Sequence, residues 1–299
     1  MAAESMDLRV LWSSVRTRLA CELGELGCPE LLSPAWSSRA TWGVSAPGIG
    51  EVVVKARRGD RASQKTGWAV ENLPRLAERG FPLPVILWHG MLDEEWHLVV
   101  QRRLIGRPLR SLTPSLLYEL IALIELQAEA DAALTSEDRD FADYIAHVLF
   151  DDWDEVWCDA AAAGPGAGAL CARLKAWLEP VWGLRLPPCD FTHNDLNLAN
   201  VLSDGLHITG VVDWDEFGLG SRAIDLVVLA FDCERIGERE MSRRLLARGM
   251  EIAGDGGLRC LVSYRTIAML ADNTHEGEDS QSFIAMTDKL LDRLQARDR

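Results

Sequence analysis

The chain has 299 residues, 48% of them hydrophobic, and carries 31 Lys and Arg against 46 Asp and Glu, a formal net charge of −15. This is the composition of a globular protein long enough for one large domain or two smaller ones. Its acidity speaks against nucleic acid and against anionic membrane surfaces as partners, because both select an excess of Lys and Arg.

From the N-terminus, the apolar spacing of Leu8 to Leu23 predicts an amphipathic helix. Arg39 to Ala46 and Glu51 to Arg57 predict two strands joined by the turn Pro47-Gly48-Ile49-Gly50. Trp68 to Arg79 predicts a helix closed by Gly80. Val85 to Trp88 and Trp96 to Arg102 predict two more strands, the second running out near Gly106-Arg107-Pro108. Long helices follow, from Pro114 to about Ala133, from Asp140 to Asp159 and from Ala169 to Trp182, with the Ala/Gly run 160–169 as a loop. Asn200 to Leu202 and Ile208 to Val212 predict short strands around Gly205, and from about Ile224 the chain is helical again. A sheet-rich segment followed by a larger helical one is α+β, with the division expected at residues 1–104 and 105–299. The charge divides there too, with 13 Lys/Arg and 12 Asp/Glu in the first part and 18 and 34 in the second.

Seven cysteines, odd in number and without a C-x-x-C pair, read as the reduced thiols of a cytoplasmic protein. Met1 to Asp7 lacks the apolar stretch of a secretory signal, and Leu116 to Ala133 is broken by Glu119, Glu125, Glu129 and Asp131, so it is no membrane span. The histidines show no metal-ligand spacing.

The chemistry concentrates in Phe191 to Leu226. His193-x-Asp195 is followed five residues later by Asn200, and Asp213 comes thirteen residues after that, at the end of an apolar strand-like run. Phosphoryl transfer needs hard oxygen ligands for Mg²⁺ and a carboxylate that orients the acceptor hydroxyl. Asn200 and Asp213 suit the first task and Asp195 the second. The spacing resembles the catalytic loop of the aminoglycoside phosphotransferase and choline kinase-like superfamily. H-x-D without Arg, Asp213-Trp214-Asp215 in place of Asp-Phe-Gly, and Gly220 to Asp225-Leu226 carry the resemblance.

The resemblance implies a bilobal, protein-kinase-like fold with a β-rich nucleotide lobe and a helical lobe holding the catalytic loop and substrate site. It also implies ATP or GTP as co-substrate with Mg²⁺. Lys55, at the end of Val52-Val53-Val54, matches the lysine on the nucleotide phosphates, with Glu71 as its pairing carboxylate and Glu78 as the competing one. The phosphate-covering loop falls near Ser37 and Ser38, and the base edge near Gln101 to Leu104, including Arg103. Asp225 is implied to hold the catalytic loop, and His193 to pack beneath it. The implied function is phosphorylation of a hydroxyl on a cationic antibiotic, conferring resistance. The acceptor is an aminoglycoside or a cyclic peptide of the capreomycin and viomycin type, since V-V-D-W-D-E followed by F-G-L-G is similar to the viomycin phosphotransferase branch. Asp215, Glu216, Asp152, Trp153, Asp272 and Glu276 are the candidate contacts to that cation. Trp153 and Trp157, four apart in an acidic stretch, form either a cation-binding face or a core pair. A metabolic kinase for choline, an amino acid or an amino sugar is the alternative; for choline the local aromatic candidates are Trp214 and Phe217.

Overall fold

The computed structural model describes residues 7–32, 39–59, 61–130, 141–151, 154–276 and 280–296. They form two compact units, residues 1–107 with 202–215 and residues 108–201 with 216–299. The first division falls three residues beyond the expected 104/105. The chain then returns to the first unit for residues 202–215, which a single cut in sequence misses.

In the first unit, α1 (Leu8–Leu23) is started by Asp7, whose side chain accepts from Arg9 N. Strands β1 (Glu30–Leu31), β2 (Arg39–Ala46), β3 (Gly50–Arg58), β4 (Ile86–Met91) and β5 (Trp96–Arg102) make an antiparallel sheet of order β1-β2-β3-β5-β4. Strand alternation decides its faces. Trp42, Val44, Val52, Val54, Ala56, Leu98 and Val100 pack with Leu11, Val15 and Leu19 of α1 into one core. The intervening residues, among them Val53, Lys55, Arg57, His97, Val99 and Gln101, take the opposite face. Helix α2 (Arg61–Glu78) begins seven residues earlier than its apolar pattern predicts, and Gly80 follows it at φ 90°. Strand β9 (Ile208–Val211) is tied to this unit through Val211 N and Pro82 O at 2.9 Å. It belongs to a three-stranded sheet of order β6 (Arg107–Pro108), β8 (Val201–Ser203), β9.

The second unit is helical: α3 (Pro114–Glu125), α4 (Phe141–Phe150), α5 (Asp154–Ala162), α6 (Ala167–Leu178), α7 (Ala223–Arg235), α8 (Arg239–Glu276, broken at Gly254) and α9 (Gln281–Gln295). Thr113 caps α3, and Pro114 opens it where no N–H is needed. Leu226 to Phe231 of α7 are all buried. The single helix expected over 140–159 is two, α4 and α5. At the end of α4 the Asp151 carboxylate turns to His147 at 3.3 Å and Arg185 at 3.2 Å. Two strands that hydrophobic pattern does not announce, β7 (Asp190–Thr192) and β10 (Gly218–Gly220), pair antiparallel and bracket the catalytic-loop sequence. Asp190, 2% exposed, fixes them by accepting from Glu129 N, Arg222 N and the Arg222 guanidinium.

Candidate active site

In the first unit, the period of two along β3 sends Lys55 and Arg57 to the face turned away from α1. Lys55 is 5% exposed, so its ammonium needs anionic partners. It donates to Asp213 and, at 2.9 Å, to Asp215 Oδ1. Arg57 Nε donates to Asp215 Oδ2, and the Arg57 guanidinium lies 3.6 Å from Asp213 Oδ1. Burial works to raise the Asp215 pKa, but the Lys55 and Arg57 charges overcome it and hold this carboxyl far below the ordinary range. Asp213 adopts φ 66°, a left-handed conformation rare outside glycine. Trp214, which follows it, is buried, with its indole N–H on Val211 O at 2.9 Å and its ring edge-on to Phe81.

In the second unit, the buried Asp225 carboxylate accepts from His193 N at 2.9 Å, Asn194 N at 2.8 Å and Gln127 Nε2 at 2.8 Å. Asn194 takes φ 68° and donates its amide to Glu216 O at 2.7 Å. His193 is fully buried, with Nδ1 facing Asp195 N at 3.3 Å. Both residues therefore serve the loop as the resemblance implies. Asp195 stays accessible: Asn197 Nδ2 lies 3.2 Å from its Oδ2 and Arg265 3.5 Å from its Oδ1. Asn197 Oδ1 accepts from Ala199 N and Asn200 N, capping the short turn that carries Asn200. The Asn200 amide donates to Asp195 O at 2.9 Å, which leaves the amide oxygen as the atom open to a hard cation. The Asn200 amide oxygen in this unit and the Asp213 carboxylate in the first are each a hard donor of the kind Mg²⁺ takes.

Tyr264, which precedes Arg265 on α8, joins residues of α4 in a small aromatic face. Phe141 packs on Tyr144 and Tyr264, and Tyr264 meets Tyr144 edge-on. Burial pushes the Tyr264 phenol above its ordinary pKa; Tyr144, Glu216 and Asp272 add to the effect and Arg265 opposes it. Glu216 and Asp272 are exposed carboxylates whose charges act on the Tyr264 phenol. Arg265 and the two tyrosines escaped the sequence reading. The one available signal is Arg265 as the single charged residue in the run Cys260 to Leu270.

Other expectations are corrected. Glu71 is not the partner of Lys55: α2 turns Asn72, Leu73 and Leu76 inward, and that helical phase leaves Glu71, like Glu78, exposed. Asp215 is engaged through both oxygens by Lys55 and Arg57, so it is no open contact for a cationic substrate. Gln101 is buried on the Lys55 face of the sheet, whereas the Arg103 guanidinium is turned to Glu30 at 3.1 Å and Glu51 at 3.8 Å. Trp157 is a core residue, with its indole N–H on Val148 O and Lys175 over its ring. Trp214 and Phe217 are both spent in packing, the latter stacked on Phe191, so neither offers a choline cage. Ser37, Ser38, Asp152 and Trp153 lie outside the described residues, and Glu276 is placed only as a helical backbone position in α8.

The family model described as the phosphotransferase enzyme family matches residues 30–260. The chain belongs to this family. Over 205 residues it is 28% identical to hygromycin-B 4-O-kinase of Escherichia coli, a match that takes in 61% of this chain and 58% of that enzyme's length. The fold of this chain is shared with a thermostable mutant of aminoglycoside phosphotransferase APH(4)-Ia, solved as a ternary complex with AMP-PNP and hygromycin B. The TM-score is 0.72 at 22% identity, over 95% of this chain and 99% of that one. Aminoglycoside-3'-phosphotransferase of type VIII is similar at TM-score 0.60 and 21% identity, over 88% of this chain and 98% of that one. At such identities the likeness speaks for the fold. Among the described residues, no helix is long and apolar enough to cross a membrane.

Proposed function

We propose that this phosphotransferase moves the γ-phosphoryl group of ATP or GTP to a hydroxyl of a cationic antibiotic, with an aminoglycoside as the first candidate and a capreomycin- or viomycin-type peptide as the second. The observation that carries the reading is the accessible Asp195, held on a loop whose backbone is fixed from beneath by Asp225. Its carboxylate orients the acceptor hydroxyl and takes its proton as the new O–P bond forms and the bond from the γ-phosphorus to the bridging oxygen breaks. Lys55 faces the nucleotide phosphates. Asn200 and Asp213 are the residues that would hold Mg²⁺, which when bound offsets the phosphate charge. The acceptor's cationic groups suit the second unit, which carries 31 Asp and Glu against 17 Lys and Arg, with Glu216 tied to the loop through Asn194 and with Asp272 and Tyr144 exposed. The relative named for hygromycin B supports an aminoglycoside acceptor. The packed state of Trp214 and Phe217 disfavours choline.

The test is nucleotide consumption with hygromycin B, other aminoglycosides, capreomycin, viomycin, choline and amino sugars as acceptors. Asp195→Ala should abolish turnover with any active acceptor while nucleotide binding persists. Near wild-type turnover in that variant would refute the mechanism. The acceptor KM should rise with salt as screening weakens the ionic contacts, and a salt-independent KM would refute an electrostatic acceptor site.

A further inference from the structure

The exposed position of Glu71 leaves open which carboxylate positions Lys55. Asp215 reaches Lys55 with Oδ1 at 2.9 Å and Arg57 with Oδ2, bridging two cations that stand two residues apart on one strand face. Arg57 is itself directed by Ala40 O at 3.3 Å, Thr41 Oγ1 at 3.4 Å and Ala56 O at 3.2 Å. We propose that Asp215, clamped by Arg57, is the resident positioning residue for Lys55, in place of a carboxylate on α2. On the same proposal, Asp213 is a partner that Lys55 gives up when nucleotide arrives. The proposal rests on the reading of Lys55 as the phosphate-binding lysine.

The charges make the argument. Lys55, Arg57, Asp213 and Asp215 form a neutral quartet, with the cation side chains 7% and 16% exposed. Were the Asp213 carboxylate to hold a metal ion, two poorly hydrated cations would share the single carboxylate of Asp215. One positive charge would then be uncompensated and available to a triphosphate. Asp215 is the group that keeps the Lys55 ammonium from swinging away during that exchange. Asp215, at the third position of D-W-D, and Arg57, at the third of K-x-R, are therefore coupled positions.

The sign of one measurement tests this. Asp215 is a negative charge beside a site for an anion, so a purely long-range effect makes Asp215→Asn bind nucleotide more tightly. A positioning role makes it bind more weakly. With a fluorescent ATP analogue, measured both with magnesium and in EDTA, Lys55→Met and Asp215→Asn should each weaken binding about tenfold or more. Glu71→Gln should stay within about twofold. In turnover assays Asp215→Asn should raise the nucleotide KM and leave the acceptor KM unchanged, which a substrate-binding carboxylate would not do. Arg57→Ala should weaken nucleotide binding as well, and the double variant with Asp215→Asn should be less than additive. If Lys55→Met weakens binding but Asp215→Asn equals or exceeds wild type, the proposal is overturned and the Lys55 reading stands. If Lys55→Met binds like wild type, that reading fails and takes the proposal with it. Should Asp215→Asn not fold, Arg57→Lys keeps the charge and removes the fork that grips Asp215. Unchanged nucleotide affinity in that variant would overturn the proposal.

Discussion

Replacing Asp225 by Asn probes the frame beneath the catalytic loop. The Asp225 carboxylate has no exposure, and burial raises its pKa against the opposing pull of His193, Gln127 and the loop N–H groups. One oxygen accepts from Asn194 N, and the other from His193 N and Gln127 Nε2. An Asn side chain has one acceptor oxygen and one NH₂. Turned to serve His193 and Gln127, it points a donor at the Asn194 N–H; turned the other way, it abandons two donors. The better arrangement loses one charge-assisted bond and strands one buried N–H, a cost of about 1.5–3 kcal/mol. For a unit of this size that lowers the thermal midpoint by roughly 3–10 °C. Asp225→Ala strands all three donors and should cost more. Urea unfolding followed by circular dichroism measures the stability, and single-turnover assays measure the chemistry. Turnover should fall further than nucleotide affinity, because Asp195 directly follows the residue whose N–H is lost, while Lys55 is held within the other unit. Wild-type urea midpoint together with wild-type turnover in Asp225→Asn would refute the reasoning.

Arg265→Gln removes the cation 3.5 Å from Asp195 Oδ1 and should lower kcat about tenfold with nucleotide affinity within twofold. An unchanged kcat would remove Arg265 from the site. His97 is 1% exposed, and burial, with the nearby His89, lowers its pKa from 6.5 to about 4. Between those values the unfolded chain binds a proton that the folded chain refuses, so stability is full above pH 6.5 and falls as the pH drops toward 4, by at most ~3 kcal/mol. His97→Gln should flatten that acid limb in urea midpoints compared at pH 7 and 4.5; an unaltered slope would contradict the assignment. Gly106 has φ 131°, and a Cβ there would stand 2.3 Å from Thr209 Oγ1 and 3.2 Å from Ser203 N. Gly106→Ala should cost about 2–4 kcal/mol, read as a lower thermal midpoint, and an unchanged midpoint would contradict it.

What the sequence made legible follows from how local the governing interactions are. The alternation of β2, β3 and β5 and the apolar stripe of α1 can be read directly because each element meets one core face. The spacing of Asp195, Asn200 and Asp213 is visible because each sits on a short contiguous segment, and the resemblance is what attaches roles to it. β7 and β10 were not: three residues each carry no period, and their pairing depends on Asp190 meeting Arg222 across more than thirty positions. The partner of Lys55 is hidden for a different reason. A resemblance supplied the helix carboxylate, while the phase of α2, with Asn72, Leu73 and Leu76 inward, turns Glu71 to solvent. The same sequence held the correction. Lys55 and Arg57 two apart on a strand must share a face, and two adjacent cations, one buried and one half-buried, demand more than one carboxylate. Asp213-Trp214-Asp215 offers two, with the intervening Trp214 taken into the core and both carboxylates on the cations. In this chain the K-x-R of β3 is met by the D-x-D of 213–215, and a lone Asp at position 213 would leave Lys55 and Arg57 on one carboxylate.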